Sequence, residues 1–245
     1  MLLDPETENE IASELCKLLG RAILPVGQLD RPGGTARGFG TAFFFTELIG
    51  AADGGQLVRE FLLTADTITR TPYGEIGLRP SVTEPPGAAS DGILLPDFAA
   101  RWVHLPGVGA AAMLAEGLHE HAEGRGWRWR TQQVTDRVAA PADTVARVGA
   151  APASAFVLAL GVAEDGSRPL EAVIERLVRD GDDIRVTTEL PAGYVGAPVF
   201  GVETTAGDVL MVHCLGLVLP GEGGSHRIAT FDRIRAALAA LSPNA

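Results

Sequence analysis

The two ends of the chain have the apolar spacing of amphipathic helices. Between residues 7 and 19 apolar side chains recur every three or four positions, and Gly20 follows directly. Thr7 and Glu10 have the spacing of a capping box at the start of this segment. At the other end, the residues that share one helical face are Phe231, Ile234, Leu238 and Leu241. We therefore predict one helix over residues 7–19 and another at the carboxyl end.

Between these helices the pattern changes to short runs of strand length, separated by segments rich in Gly and Pro. The predicted strands occupy residues 40–46, 57–65, 101–105, 127–134, 155–162, 171–178, 183–190, 197–204 and 209–219. Spacing of this kind is typical of β-sandwiches and barrels. A break at "AEGRG" divides the strands into two units. We predict an amino-terminal helix (1–21), a first β-unit (22–122) and a second β-unit with the carboxyl-terminal helix (123–245).

Composition supports a mostly β protein. The chain has 245 residues, of which 46% are hydrophobic, and this suffices for one large or two small cores. Its 30 glycines and 16 prolines favour short strands joined by turns. The longest apolar runs have strand length and are too short to span a membrane.

Charge and cysteine content limit the classes of partner and location. The net charge of −11 disfavours nucleic acid and anionic membranes as partners. The acidic start "MLLDPETENE" lacks the basic and apolar pattern of a secretory signal. Cys16 and Cys214 fall in a predicted helix and a predicted core strand, so no disulfide framework is indicated. We therefore predict a cytoplasmic protein.

Four segments carry a resemblance to a known family. In chain order they are "GFGTAFFF" (38–45), "FLLTADTI" (61–68), "LPGVGAAAML" (105–114) and "PAGYVGAPVFG" (191–201). In this order and spacing they resemble the trypsin-like (chymotrypsin-fold) serine peptidases, particularly their bacterial branch. The closing segment "SHRIATFDRIRAAL" is similar to the last strand and carboxyl-terminal helix of that family. The resemblance spans residues 22–241 and implies an all-β fold of two packed six-stranded antiparallel β-barrels, with an α-helix at each end.

The same resemblance locates the three positions of the catalytic triad, and each holds a residue that cannot serve. Thr67 stands at the position of the general base, Gly109 at that of the orienting acid and Val195 at that of the nucleophile. Triad chemistry needs an oxygen nucleophile, a base of near-neutral pKa and a carboxylate that orients the base. The resemblance therefore implies a pseudopeptidase with no cofactor.

If the scaffold has lost its chemistry, it can still act by binding. Gly193, Tyr194, Val195 and, on a neighbouring strand, His213 are the predicted lining of a cleft between the two units. The N–H groups of Gly193 and Val195 could point at one spot, as in an oxyanion hole, and hold a peptide or carboxylate. Alternatively, the cleft is filled. The expected partner is a protein or peptide, within a signalling or defence assembly as the family implies; the oligomeric state is left open.

Other residues allow rival interpretations. His119 and His121 in "HEH" could chelate a metal from an extended strand, but no third ligand follows at a recognisable spacing, and a solvated loop is the preferred interpretation. Asp66 and Glu189 would flank the cleft, so a hydrolase with relocated carboxylates is the alternative function. In "RGWRWR" (125–130) the period of two predicts buried tryptophans and solvated arginines on a strand, rather than a nucleic-acid surface.

Overall fold

The structure is a computed structural model that describes residues 1–34, 36, 38–52, 55–89, 92–161, 169–204 and 209–241. Its strands, in chain order, are β1 (Ile23–Leu29), β2 (Gly38–Ala52), β3 (Gly55–Ala65), β4 (Tyr73–Ile76), β5 (Thr83–Glu84), β6 (Ile93–Pro96), β7 (Val103–His104), β8 (Ala110–Leu114), β9 (Arg128–Trp129), β10 (Val134–Thr135), β11 (Ala153–Leu160), β12 (Leu170–Asp180), β13 (Asp183–Val186), β14 (Pro198–Thr204), β15 (Leu210–Glu222) and β16 (Ser225–Thr230). The helices are α1 (Pro5–Leu19), α2 (Asp66–Thr69), α3 (Glu116–Gly124), α4 (Ala142–Arg147) and α5 (Phe231–Ala240). The predicted all-β class with a helix at each end is confirmed.

The second β-unit is a closed antiparallel barrel of six strands, in the order β11-β12-β13-β16-β15-β14. Pairing of β11 with β14 closes the ring, so this unit leaves no free sheet edge. Alternate residues face inward and form its own core, which includes Val157, Ile184, Val199 and Ile228. This unit matches the predicted six-stranded barrel.

The first β-unit is a curled sheet with eight strands. Seven strands follow the order β6-β4-β1-β2-β3-β8-β7, and β10 joins β2 in parallel. Among the described residues no ladder joins the two edge strands, β6 and β7. The 3₁₀ turn Phe98–Arg101 connects them, and the buried Phe98 ring packs directly against Gly74. The Phe98 ring therefore covers β4, next to the edge strand β6.

The two units share one hydrophobic core. Phe43 and Phe45 of β2 contact the ring of Phe231, which begins α5, with ring centroids 6.4 and 5.0 Å apart. The same cluster includes Phe156 of β11 and Phe200 of β14, and all five rings are fully buried. Burial of this aromatic surface holds the first sheet, the barrel and the last helix together.

Some predicted boundaries differ from the structure. The predicted division after residue 122 falls inside α3, and the barrel begins only at β11. Residues 127–134 form the short strands β9 and β10 and not one long strand. Trp127 and Trp129 are nevertheless buried, while the Arg128 side chain is exposed, as the alternation predicts. Local packing explains why both tryptophans are buried. The two indoles contact each other, and Trp129 donates its N–H to the Leu118 carbonyl of α3.

Helix α1 lies on the outside of the barrel and is fixed by a buried carboxylate. It begins at Pro5, with Asp4 as its cap, and not at Thr7. The buried Glu8 carboxylate accepts hydrogen bonds from the Ser154 hydroxyl (2.5 Å) and from Arg176 Nη1 (2.7 Å). A polar contact thereby ties the amino-terminal helix to β11 and β12.

Cys16 and Cys214 are free thiols, as predicted. Among the described residues, no helix is both long and apolar enough to cross a membrane.

Candidate functional site

The positions of the predicted base and acid lie against each other. Thr67 is in α2, the short helix that directly follows β3, and Gly109 precedes β8, the strand beside β3. The N–H of Asp66 donates to the Gly109 carbonyl over 2.9 Å. Gly109 has a φ of +78°, and a Cβ there would lie 3.2 Å from Leu219 Cδ2. The position of the orienting acid is therefore covered by an apolar side chain of the barrel.

The position of the predicted nucleophile meets β2 at the boundary between the two units. Val195 follows a 3₁₀ turn, Ala192–Tyr194, and its carbonyl accepts a hydrogen bond from the Thr41 N–H over 2.8 Å. The Thr41 hydroxyl donates to the Gly193 carbonyl over 2.8 Å. The segment that the resemblance identifies with the nucleophile loop is thus joined to the first unit through its backbone.

Apolar packing closes this region. A Cβ on Gly40 would lie 2.7 Å from the Val195 carbonyl oxygen and 2.8 Å from Ile68 Cδ1, so α2, β2 and Val195 meet without a gap. The Phe39 ring lies against Gly193, where a Cβ would be 3.1 Å from the ring. Val195 is only 8% exposed. These contacts leave the Val195 side chain packed in the interior.

One of the two N–H groups proposed for an oxyanion-like site is already engaged. The Val195 N–H donates to the Ala192 carbonyl over 3.1 Å, within the 3₁₀ turn. An oxyanion hole needs donors that are free to meet developing charge on a substrate. The turn therefore uses one of these donors for its own backbone.

The Tyr194 side chain points away from the contact between Val195 and β2, and it makes a polar contact with the barrel wall. It is buried, and its hydroxyl donates to the Glu171 carboxylate of β12. Burial raises the pKa of the Tyr194 phenol well above its ordinary value, and the hydrogen bond to Glu171 raises it further. The phenol therefore remains a neutral donor at ordinary pH and is unsuited to act as a base.

His213 does not share a cleft with the other three predicted lining residues. It lies opposite Gly201 in the β14–β15 pair, whereas the end of this pair beside Val195 is Pro198 opposite Leu217. The His213 ring faces the far mouth of the barrel, with Nε2 3.9 Å from Glu203 Oε2. Cys214 points to the opposite side of the strand, into the shared core, as the alternation predicts.

The "HEH" segment is helical, and this corrects the prediction of a solvated loop. His119 and His121 both lie in α3, where residues two apart face different directions. His119 Nε2 contacts the Glu60 carboxylate at 2.5 Å. Among the described residues, no three His, Cys, Asp or Glu side chains converge as a metal ion would require.

One histidine that the sequence interpretation passed over lies beside Asp66, the residue before Thr67. His104 Nδ1 of β7 is 3.9 Å from Asp66 Oδ2, and within the described residues this nitrogen has no hydrogen-bond partner. Arg70 Nη2 binds the same Asp66 carboxylate at 2.6 Å. Glu189, the other carboxylate predicted to flank the cleft, is exposed in the segment after β13.

The sequence interpretation also missed Thr41 and Thr64, which hold the joint between the units. Thr64 donates its hydroxyl to the Thr41 carbonyl over 2.7 Å, and both residues are fully buried. The sequence does carry a signal for these two residues. Each has a hydroxyl group within an otherwise apolar strand segment, and a buried hydroxyl requires a hydrogen-bond partner. The identity of that partner depends on the fold.

No protein-family profile matches the chain, and no curated protein is detectably similar. Among the solved structures similar to this chain is a serine protease of a human pathogenic astrovirus, which matches over 86% of this chain and 90% of its own, with 14% sequence identity and a TM-score of 0.39. The fold assignment therefore rests on the strand pairing described above and not on this likeness.

Proposed function

We propose that this protein is a catalytically inactive, trypsin-like pseudopeptidase that acts as a protein-binding or regulatory module. One observation carries the proposal: the packed joint at Val195. The three positions that the resemblance assigns to the triad hold Thr67, Gly109 and Val195, and the last of these is buried against β2. Val195 has no nucleophilic atom, the Thr67 hydroxyl is not a base at neutral pH, and Gly109 has no side chain to orient a base.

A partner-binding role is supported by an exposed apolar surface on the β2–β3 hairpin. Leu48 and Val58 are directly paired across the hairpin and are 47% and 49% exposed. Ile49 and Leu57 beside them are exposed to a similar degree. Exposed apolar groups clustered on one surface are typical of protein interaction sites. We therefore assign partner binding to this hairpin and not to the closed region at Val195.

The loss of catalysis is tested with a serine-reactive fluorophosphonate probe. We expect no labelling of the native protein and none of a Val195→Ser variant, because a hydroxyl there still lacks a base and an orienting acid. A working serine peptidase in the same reaction is the positive control. Labelling of the native protein would overturn the proposal. Labelling that appears only in Val195→Ser would show that a base is still within reach of that position.

Partner binding is tested by co-purification from the native host, read by mass spectrometry. We expect a stoichiometric protein partner, and we expect the double variant Leu48→Lys/Val58→Lys to lose it. Leu18→Lys, at an even more exposed leucine on α1, is the control and retains the partner. If the partner persists in the double variant, binding is not at the hairpin.

A second candidate function is a hydrolase with relocated residues, and the His104–Asp66 contact is the observation that favours it. A histidine 3.9 Å from a carboxylate resembles the base and orienting pair of a triad. Within the described residues, however, no hydroxyl or thiol is hydrogen-bonded to His104. A His104→Gln variant that lowers a measured hydrolytic activity of this protein would establish the alternative.

A further inference from the structure

The far mouth of the closed barrel contains a cavity that the proposed function does not use. It has a volume of about 400 Å³, within the range of small-ligand sites, which commonly lie at the mouths of barrels. Along β14 the cavity is lined by residues 201–204, three to six residues beyond Pro198, which is roughly 10 to 20 Å of strand from the end beside Val195. The cavity and the degenerate triad region are therefore separate sites.

The floor of the cavity is apolar and is made by the barrel wall. Four of the barrel strands each contribute one residue to the floor, and these residues face the inside of the barrel because residues alternate along a strand. They are Ala153, Leu177, Gly201 and Leu215. Gly201 has no side chain, and Leu215 lies over it, with Cδ1 2.6 Å from the position of a Cβ. The small side chain at position 153 leaves room above this part of the floor, whereas Leu215 fills the space over Gly201. Such a floor fits an apolar body of a ligand.

One corner of the cavity is polar and is organised by α4, which covers the mouth. Arg147 Nη2 binds Glu203 Oε1 at 2.8 Å. The same nitrogen also donates a hydrogen bond to the Thr144 hydroxyl over 2.9 Å. Hydrogen bonds from Arg147 hold the pKa of the Glu203 carboxyl below its usual range, so Glu203 is an anion at neutral pH. The His213 ring, 12% exposed, completes the corner beside Glu203.

Charge at this corner favours a neutral or cationic ligand over an anionic one. Arg147 is shared by two carboxylates, because its Nη1 also binds Asp143 Oδ2 at 3.0 Å. Arg179 of β12 donates to the carbonyls of Val145 and Val148 and is thereby held by the end of α4. An anion would therefore meet the Glu203 carboxylate, beside which Arg147 is already engaged by Glu203 and Asp143.

We propose that this cavity binds a small amphipathic molecule, with its apolar body on the Leu177–Leu215 floor and a neutral or cationic hydrogen-bond donor at the Glu203–His213 corner. The inference does not depend on the proposed function, because the site lies at the other end of the barrel. If the ligand-binding proposal fails, the proposed function still stands, and the reverse also holds.

The test uses three probes that share an indole ring and differ in the charge of the side chain: tryptamine, tryptophol and indole-3-propionate. Binding is followed by two-dimensional amide NMR of the full chain. We expect saturable shifts at residues around the cavity with tryptamine and tryptophol, and binding of indole-3-propionate that is weaker by about tenfold or more. The absence of such shifts with tryptamine and tryptophol, or equal binding of the anion, would overturn the proposal.

Two variants distinguish this cavity from other surfaces. Ala153→Leu fills the floor and is expected to weaken tryptophol binding by about tenfold, whereas Ala239→Leu, at an exposed alanine of α5, leaves it unchanged. Glu203→Gln keeps the shape of the corner and removes its charge, so the preference for tryptamine over indole-3-propionate should disappear. This second variant decides the question even if Ala153→Leu does not fold. Unchanged charge preference in Glu203→Gln would contradict the proposal.

Discussion

Thr41 binds the backbone on both sides of Tyr194: its N–H donates to the Val195 carbonyl and its hydroxyl to the Gly193 carbonyl, each over 2.8 Å. A single residue of β2 thus holds the segment that resembles a nucleophile loop. Gly196, with a φ of +88°, allows the close approach, because a Cβ there would lie 2.1 Å from the Thr41 carbonyl oxygen. The loop that would carry chemistry in a peptidase serves in this protein as a joint between two β-units.

Replacing Thr41 by valine should weaken this joint. The change keeps the shape of the side chain but leaves the Gly193 carbonyl without its hydroxyl donor in a buried site. We expect a loss of about 1–3 kcal/mol in the free energy of unfolding, measured by urea denaturation. Thr188→Val, at an exposed position, is the control and should change the stability little. Equal effects of the two substitutions would show that the buried hydrogen bond contributes nothing.

Gly109 and Gly117 should respond in opposite ways to alanine. At Gly109 the left-handed φ of +78° and the contact with Leu219 both oppose a side chain, so Gly109→Ala should cost about 1–3 kcal/mol of stability. At Gly117, in α3, a Cβ meets nothing within 4 Å. Gly117→Ala should therefore be neutral or stabilising by up to about 1 kcal/mol. Thermal unfolding of the two variants checks the sign of each effect.

Neutralising Glu8 should loosen α1 from the barrel. Glu8→Gln removes the anion that Ser154 and Arg176 bind, and a buried charge-assisted contact of this kind contributes about 1–3 kcal/mol. Because the Arg176 side chain is 43% exposed, we expect the lower end of that range. Glu10→Gln, at an exposed site on the same helix, is the control. Amide hydrogen exchange should show faster exchange in α1 for Glu8→Gln alone.

Stability should fall at high pH because of Tyr194. The folded state raises the pKa of this phenol, chiefly by burial, so the folded protein retains a proton that the unfolded chain loses. The contribution is complete below the unfolded pKa of about 10 and is lost as the pH rises above it. Urea denaturation between about pH 9 and 11 should therefore show a decline that is smaller in Tyr194→Phe. A decline of the same slope in both proteins would contradict this assignment.

A spectroscopic control isolates the same phenol. The chain has only two tyrosines, so Tyr73→Phe leaves Tyr194 as the one source of phenolate absorbance. In that variant phenolate should appear together with the loss of folded structure. Phenolate that appears while the protein remains folded would show that the Tyr194 hydroxyl is accessible to solvent.

Features that depend only on the local period of the sequence were predicted correctly. Both terminal helices, the tryptophans facing inward and the opposite directions of His213 and Cys214 follow from a period of 3.6 or 2 residues. The error at "HEH" has the same origin, because a short polar segment carries too few apolar residues to reveal its period. The packing of Ala122 and Leu118, both buried, makes this segment a helix.

The site could be predicted only in part. The resemblance named Thr67, Gly109 and Val195, and the structure brings these three positions to one boundary between the units. It also grouped His213 with them, whereas His213 faces the other end of the barrel beside Glu203. Register along β14 and β15 decides this separation, and register depends on pairing with strands distant in the sequence.

The sequence by itself determined the class of fold, the absence of a nucleophile at residue 195 and the faces of the individual strands, since these depend on residue type and local period. Only the tertiary structure decided that the Val195 segment is a joint, that the first β-unit is a curled sheet of eight strands and that a cavity lies between α4 and the far mouth of the barrel. These features depend on contacts between residues distant in the sequence, such as Thr41 with Gly193, 152 residues apart. No local pattern encodes such contacts, because they depend on which surfaces meet when the whole core is buried.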